Sequence, residues 1–371
     1  MKFLKRLLGR PSIEKISTIA DFWIWFTKHQ KQFHAVVKKR EDVEKRFLDI
    51  IGPALHQLNE EFYCVAGMED EHMAELVVTA EGDIKTFVFV EQLMQAAPPI
   101  PGWMFTALKP ATGFGDTEIA MDGYVFSANN LFFSYSIEPD YPDEIEITLA
   151  HPDLTEENRT IVSNGCLLFL DSALGEYNSA MLLDLVTFTR YEAGKQDWIA
   201  ISKLPDFLNW RQKEFVEKYQ AVVHQTDHDQ YSALEATDEV GRPLLAIVNT
   251  DLLQWDAKAS HPWMLIITMK YDGVENNGMP NNEVYEVLTS FEDTLISRLP
   301  DVGGYLYVGR ETYNNERKVY IACREFRQSS IVTAQLIAEF RSKIKMDYTI
   351  FKDKYWRALQ RFQVSSNEME D

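Results

Sequence analysis

The sequence contains no run of ~18 apolar residues, the length a helix needs to cross a bilayer. Its longest apolar stretch is Trp263-Met-Leu-Ile-Ile-Thr-Met-Lys-Tyr271. A transmembrane helix is therefore not expected. Also missing are a Gly-x-x-x-x-Gly-Lys-Ser/Thr loop, a Gly-x-Ser-x-Gly elbow, a His-Glu-x-x-His pair and a Cys-x-x-Cys pair. Their absence removes the usual warrants for nucleotide hydrolysis, serine hydrolysis, zinc proteolysis and dithiol chemistry. Gly113-Phe-Gly115 fails as a dinucleotide fingerprint, because Glu118 stands where a third glycine must let helix and strand close up. No cofactor is expected. Basic residues are in deficit, with Lys plus Arg 37 against Asp plus Glu 57 and a net charge of -20. Such a charge repels phosphate backbones and disfavours general nucleic-acid binding. Cys64, Cys166 and Cys323 are odd in number, scattered and set among apolar neighbours. Reduced, buried thiols in a cytoplasm fit that pattern.

What remains is an ordinary globular composition, 46% hydrophobic and 25% charged, which separates it from disordered or fibrous chains. A length of 371 residues suits two domains better than one core. The Trp263 stretch, apolar on nearly every residue, reads as a central strand covered on both faces. After a Gly273, Gly278 and Pro280 loop, Asn281 or Asn282 can cap a helix, with Val284, Leu288, Phe291 and Leu295 on one stripe. Strands Tyr305 to Glu311 and Arg317 to Glu325 flank Asn314-Asn315, a pair that tolerates the positive φ of a tight hairpin. Ser329 or Ser330 can cap a second helix, and Lys343 to Phe351 alternates like an edge strand. The order βαββαβ predicts a ferredoxin-like antiparallel sheet, first and third strands in the middle, second and fourth at the edges.

Earlier in the chain, Ile19, Phe22, Trp23, Phe26, Phe33 and Val37 keep helical spacing, and Gly52-Pro53 predicts a kink or restart in the helix that follows. Strands are predicted over 62–66 and 73–80, then a helix over 84–97 stopped by Pro98-Pro99. Further strands are expected over 103–108, 123–137 and 144–149, a helix capped by Thr155, and a strand over 181–191. The class is α+β, two α/β sandwich domains. We divide it into a basic lead-in 1–15, N-terminal helices plus an α+β domain 16–200, a connecting helix and linker 201–230, a ferredoxin-like domain 231–362 and a loose acidic tail 363–371. The lead-in can be read as a frayed terminus or as a short amphipathic helix on a partner or membrane surface.

The Trp263 strand, the Tyr305 to Arg310 and Lys318 to Glu325 hairpin, and Asp347 with Tyr355-Trp356 resemble a bacterial family, domain of unknown function six-nine-five, over roughly residues 230 to 360. That family is similar in organisation to the regulator of ribonuclease activity B, an acidic protein that inhibits an RNA-processing enzyme by binding it. The resemblance implies an interaction role, although no inhibitory residue can be matched.

Several polar groups are candidates for chemistry. His224 and His228, with Asp227 and Asp229, would face one metal on a helix, or simply form a solvated linker. His151-Pro-Asp153 with Glu156 could supply ligands, or act as a strand end and helix cap. Glu138, Asp140, Asp143, Glu144 and Glu146 lack the spacing of a calcium loop and read as a charged loop. No catalytic or metal residue is assigned. If Leu265, Ile267, Tyr305, Tyr307, Val319 and Ile321 face the helices, alternation sends Lys270, Arg310, Lys318, Tyr320 and Arg324 to the other sheet face. That basic, aromatic face predicts a cytoplasmic, non-catalytic protein that binds a macromolecular partner or an anionic ligand. The alternative is a metal-dependent hydrolase using His151, Asp153 and nearby carboxylates.

Overall fold

A computed structural model provides the structure and describes residues 15–115 and 117–363. The basic lead-in proper and most of the acidic tail lie outside the described residues. Contacts divide the chain into two units, one running to Thr117 and taking back Leu170–Met181, the other comprising Glu118–Phe169 and Leu182 onward. Both contain helices and strands, so the fold is mixed α+β.

The first unit begins with α1 (Ile19–Lys39), whose Thr18 and Asp21 form a reciprocal capping box. Phe22, Trp23, Phe26 and Phe33 are buried along it, as the helical spacing predicts. The chain stops at Arg40, left-handed at φ 55, and continues through a π-helical turn, Glu44–Leu48, into α2 (Asp49–His56). Helix α2 runs through Gly52 and Pro53 without the expected restart. The interruption falls earlier, at the π turn.

Next come β1 (Tyr63–Met68), β2 (Ala74–Thr79), α3 (Ile84–Gln95) and β3 (Trp103–Ala107). β1 pairs antiparallel with β2, and β2 parallel with β3, so α3 is a crossover helix. The rings of α1 meet β3 edge-on, Trp23 against Phe105 at 4.6 Å and Phe26 against Trp103 at 5.1 Å.

In the second unit β4 (Glu118–Met121) and β5 (Tyr124–Ser127) form a hairpin followed by β6 (Phe132–Ser136) and β7 (Glu146–His151). The division between units falls inside α4 (Arg159–Leu174), which ends at Gly175, φ +79, where an added Cβ would lie 2.7 Å from the Ala111 nitrogen. Where a strand from residue 181 is expected, α5 (Glu176–Leu182) runs first, and β8 is confined to Leu185–Arg190. β9 (Ile199–Ala200) completes a sheet of order β8-β7-β6-β9.

The buried Glu176 anchors α5. Its carboxylate accepts the Thr79 hydroxyl at 2.6 Å and the backbone N–H groups of Ala80, Gly82 and Lys109 at 3.2, 2.9 and 3.0 Å. The β2–α3 turn thus closes around a charged group from a distant helix.

After α6 (Leu204–Tyr219) come β10 (Tyr231–Thr237), β11 (Pro243–Asn249), α7 (Thr250–Gln254) and β12 (Trp263–Lys270). α8 (Asn282–Arg298), β13 (Tyr305–Tyr313), β14 (Glu316–Cys323), α9 (Arg327–Phe340) and β15 (Lys345–Lys352) follow, and a 3-10 turn, Arg357–Phe362, ends the described chain. The sheet order is β10-β11-β13-β14-β12-β15, every pairing antiparallel. The last four strands of that order give the predicted arrangement, with β12 and β14 inside and β15 at the edge. β13 is not an edge, because the β10–β11 hairpin extends the sheet alongside it.

Asn281 caps α8 through the Val284 N–H at 2.9 Å, and Asn314 and Asn315 take φ of 47 and 69 in the hairpin turn. Helix α9 is capped by neither serine. The Glu325 carboxylate accepts the Arg327 and Gln328 N–H groups, and Ser329 and Ser330 are buried. A carboxylate suits the positive end of a helix at least as well as a hydroxyl.

Within β13 the register slips between Tyr307 and Gly309. A Cβ on Gly309 would sit 2.4 Å from the Ile247 carbonyl oxygen of β11, so only glycine lets the bulge lie against its neighbour. Gly309→Ala is therefore expected to lower stability by about 2–3 kcal/mol. An unchanged urea midpoint would refute the close-approach account. Glu176→Ala, which leaves buried N–H groups unpaired, should lose about 3 kcal/mol. A melt indistinguishable from the parent protein would count against Glu176 as the anchor.

Candidate functional site

The bulge decides where the expected basic residues go. One extra residue reverses the alternation of β13, so Tyr307 and Arg310 both face α8. There the Glu292 carboxylate, 3% exposed, receives Arg310 Nη1 at 2.8 Å, Arg317 Nη1 at 2.9 Å and the Tyr307 hydroxyl at 3.3 Å. The placement of Arg310 on the open face is thus corrected. Tyr320 does lie on the face away from the helices, but it is buried under Trp356, Leu359 and Phe362. Its hydroxyl joins Glu311 at 3.2 Å and Arg361 at 2.6 Å.

Arg324, just beyond β14, donates to the Val222 carbonyl after α6. Lys270 pairs with Glu316 at 3.2 Å, and Lys318 stands half-buried opposite Glu311 in the register. The fold therefore leaves Lys270, Lys318 and Tyr320 on a shared face and separates them from Arg310 and Arg324.

The histidine candidates are also placed. His151 is fully buried, and its Nδ1 accepts the Asp153 N–H at 3.2 Å. The ring proton must then sit on Nε2, 3.0 Å from the Val125 carbonyl to which it donates. Nε2 ties β7 to the preceding hairpin and Nδ1 holds the turn that follows the strand, while Asp153 is exposed. His224 and His228 are not on one helix face, for only a 3-10 turn, Thr226–His228, forms there. His224 instead contacts Asp229 at 2.8 Å, which also accepts from Asn249 at 2.7 Å. Among the described residues no group of three or more His, Cys, Asp and Glu is placed to hold a metal.

The acidic loop is less solvated than its composition suggests. Asp143 accepts Lys218 Nζ at 2.9 Å and the hydroxyls of Tyr219 and Tyr355 at 2.6 and 2.9 Å. Burial works to raise its carboxyl pKa, but these three donors outweigh that and hold it below the usual carboxylate range. Glu144 pairs with Arg357, and nearby Asp184 takes Lys352 at 3.2 Å and Lys354 at 2.7 Å. Loop 138–145 is thereby clamped to the segment that follows β15.

Beside this clamp opens a cleft of about 490 Å³. Asp140, Pro142 and Asp143 form one wall, Lys218 and Tyr219 another, and Trp255 to Lys258 with Tyr355 the rest. That volume is in the range of small-ligand sites. Asn249 caps α7 through the Leu252 N–H at 2.9 Å, which fixes where the chain leaves the helix at Trp255. The indole is held by neighbouring rings, His224 at 5.0 Å, His261 at 5.5 Å and Trp356 at 6.2 Å.

Lys258 is half-buried, and burial pushes its ammonium pKa down against the pull of Asp256. No carboxylate of the described residues lies within ion-pair distance of it. Periodicity gave no sign of this site, since Trp255-Asp-Ala-Lys258 falls between regular elements. The nearest sequence signal was the Tyr355-Trp356 pair.

The second unit thus holds an antiparallel six-stranded sheet in a mixed α+β chain and, among its described residues, a cleft of ligand size at Trp255 and Lys258. Residues 240–362 match a family of unknown function, DUF695. The match covers β11 through the final 3-10 turn, including Trp255, Lys258 and Tyr355, while Asp143, Lys218 and Tyr219 come from outside it. No curated protein and no solved structure matches the chain.

His261, behind Trp255, is 1% exposed. Burial, then the positive charges of Arg324 and His224, push its pKa down to about 3. The folded imidazole stays neutral while the unfolded one takes a proton below its ordinary pKa near 6.5. Its contribution is therefore complete above pH ~6.5 and falls as pH drops toward the folded value, by up to about 1.4 kcal/mol per pH unit. Stability measured from pH 7 to 5.5 should fall in the parent protein and flatten in His261→Gln. Equal slopes would sink the assignment.

Proposed function

We propose that this is a non-catalytic binding protein that takes up an acidic group, from an anionic ligand or a macromolecular partner, in the cleft at Trp255 and Lys258. The observation that carries the proposal is the half-buried Lys258 ammonium with no ion-pair partner among the described residues, set beside a fixed indole. A desolvated cation is costly by itself, and an incoming carboxylate or phosphate offsets that cost. The indole gives the rest of the ligand an apolar surface.

Lys218 is unavailable for this task, being engaged by Asp143. Arg310 and Arg324, first choices on sequence, have their guanidinium groups on Glu292 and Val222. Lys270 and Lys318 stay in the proposal as secondary contacts for an acidic partner. A cytoplasmic setting is part of the same reading and is supported by three free cysteines, of which burial pushes the Cys64 and Cys166 thiols up to about 12. The match to a family without an assigned activity is compatible with this role. No helix among the described residues is long and apolar enough to cross a membrane.

Titration of the full chain with inorganic phosphate and with a short poly-glutamate peptide, followed by amide chemical shifts, tests the proposal. Saturable shifts at Trp255 and Lys258 are expected. Lys258→Met should weaken binding about 10–100-fold without altering the melt, and Lys258→Arg should retain most of it. A cleft silent toward both probes, or a Lys258→Met variant that binds as well as the parent, would overturn it.

A further inference from the structure

Helices α8 and α9 cannot between them cover a six-stranded sheet. A helix is ~10 Å across and strands lie ~4.8 Å apart, so each helix shields about two strands. Glu292 ties α8 to β13 and β14 through Arg310 and Arg317. The start of α9 meets β12 through the Phe326 ring on Trp263, and the Tyr348 hydroxyl of β15 donates to the Ser330 carbonyl. Strands β10 and β11 are left over. Their alternation agrees, for Leu234, Leu244, Ala246 and Val248 pack into the core around Trp356, whereas Leu245 and Ile247 stand 40 and 37% exposed beside Tyr231. Ile247 lies opposite Arg310 in the register, which puts the open strip on the α8 side of the sheet.

We infer that this strip, between α8 and the edge of β10, is the docking surface for a basic amphipathic helix of a partner protein. The floor is apolar, and on α8 the exposed Ile296 and Tyr285 stand one and two turns from Glu292, on the side turned to the strip. The width left is that of one helix. Seven residues of β11 span ~23 Å, the length of ~15 helical residues. The rim selects the charge. Glu235, opposite Leu245 in the register, and Glu286 and Asp293 on α8 are exposed and engaged by no cation among the described residues, while Arg310 and Arg317 are held by Glu292. Lysines or arginines flanking an apolar stripe would meet these carboxylates from both sides. A second copy of a chain of net charge -20, a nucleic acid or an anionic bilayer would each bring negative charge to an acidic rim. The strip shares no residue with the Lys258 cleft.

Titration of the full chain with a synthetic peptide of about 15 residues, leucines on one helical face and lysines on the other, tests this. Binding of micromolar order is expected, with the peptide gaining helix by circular dichroism and amide shifts confined to residues 231–249 and 282–298. A peptide of the same composition in shuffled order, which has no apolar face, should bind about tenfold more weakly. Ile247→Asp should weaken binding about 10–100-fold. Glu235→Lys with Asp293→Lys changes only exposed side chains and leaves the fold intact. That pair should cost about tenfold at low salt, and the difference should shrink as salt rises.

Absence of binding, equal affinity for the shuffled peptide, shifts that map outside the strip or variants that bind as the parent does would overturn the inference. A bound peptide that stays extended would also overturn it and assign the β10 edge to strand addition. Parent protein that sediments as a dimer, and as a monomer with Ile247→Asp, would make a second copy the occupant instead.

Discussion

The burial of β12 between two unlike layers governs the C-terminal unit. Leu265, Ile267 and Met269 are fully buried on the side of α8 and α9, and Met264 is fully buried on the other, beneath Trp356 and Leu359. A strand buried on both faces must lie inside the sheet, so β14 and β15 are recruited to its two sides and β13 and β11 build outward from β14. The second layer is not another sheet. It is the segment after β15, pinned by the Trp356 Nε1 bond to the His261 carbonyl at 3.0 Å and by Arg361 on Glu311 and Tyr320.

The same segment makes the cleft. With Lys352 at the end of β15, it offers Lys354, Tyr355 and Arg357 in close succession, and these take Asp184, Asp143 and Glu144 from the preceding half of the unit. Asp143 and Asp184 are each satisfied by several donors at once, the condition under which partly buried charges hold a fixed geometry, and Glu144 by Arg357. Lys258 is the cation left outside this network, which is why the binding proposal rests there and not on the arginines.

Much of the fold was legible in the chain. The all-apolar Trp263 strand, the Asn314-Asn315 turn and the Asn281 cap are local signals, and each element forms where its residues place it. Local signals with close competitors were read less well. Glu325 outcompetes Ser329 and Ser330 as the α9 cap because a carboxylate two residues before Arg327 reaches two N–H groups of the first turn. Gly175, left-handed at φ +79, ends α4, but nothing local shows that the next residue, Glu176, starts another helix, since its anchor lies in the turn around Ala80 and Gly82.

By itself the sequence determined the α+β class, the order of strands and helices after Trp263, and the face each helix buries, because these follow from periods of two and 3.6 residues and from caps within a turn. Only the tertiary structure decided that Arg310 looks toward α8, that Tyr320 is covered, and that Trp255 and Lys258 line a cleft with Tyr219 and Tyr355. The physical reason is that a bulge arises from pairing with β11 and β14, and a cleft from chain segments far apart in sequence. No periodicity within one segment encodes either.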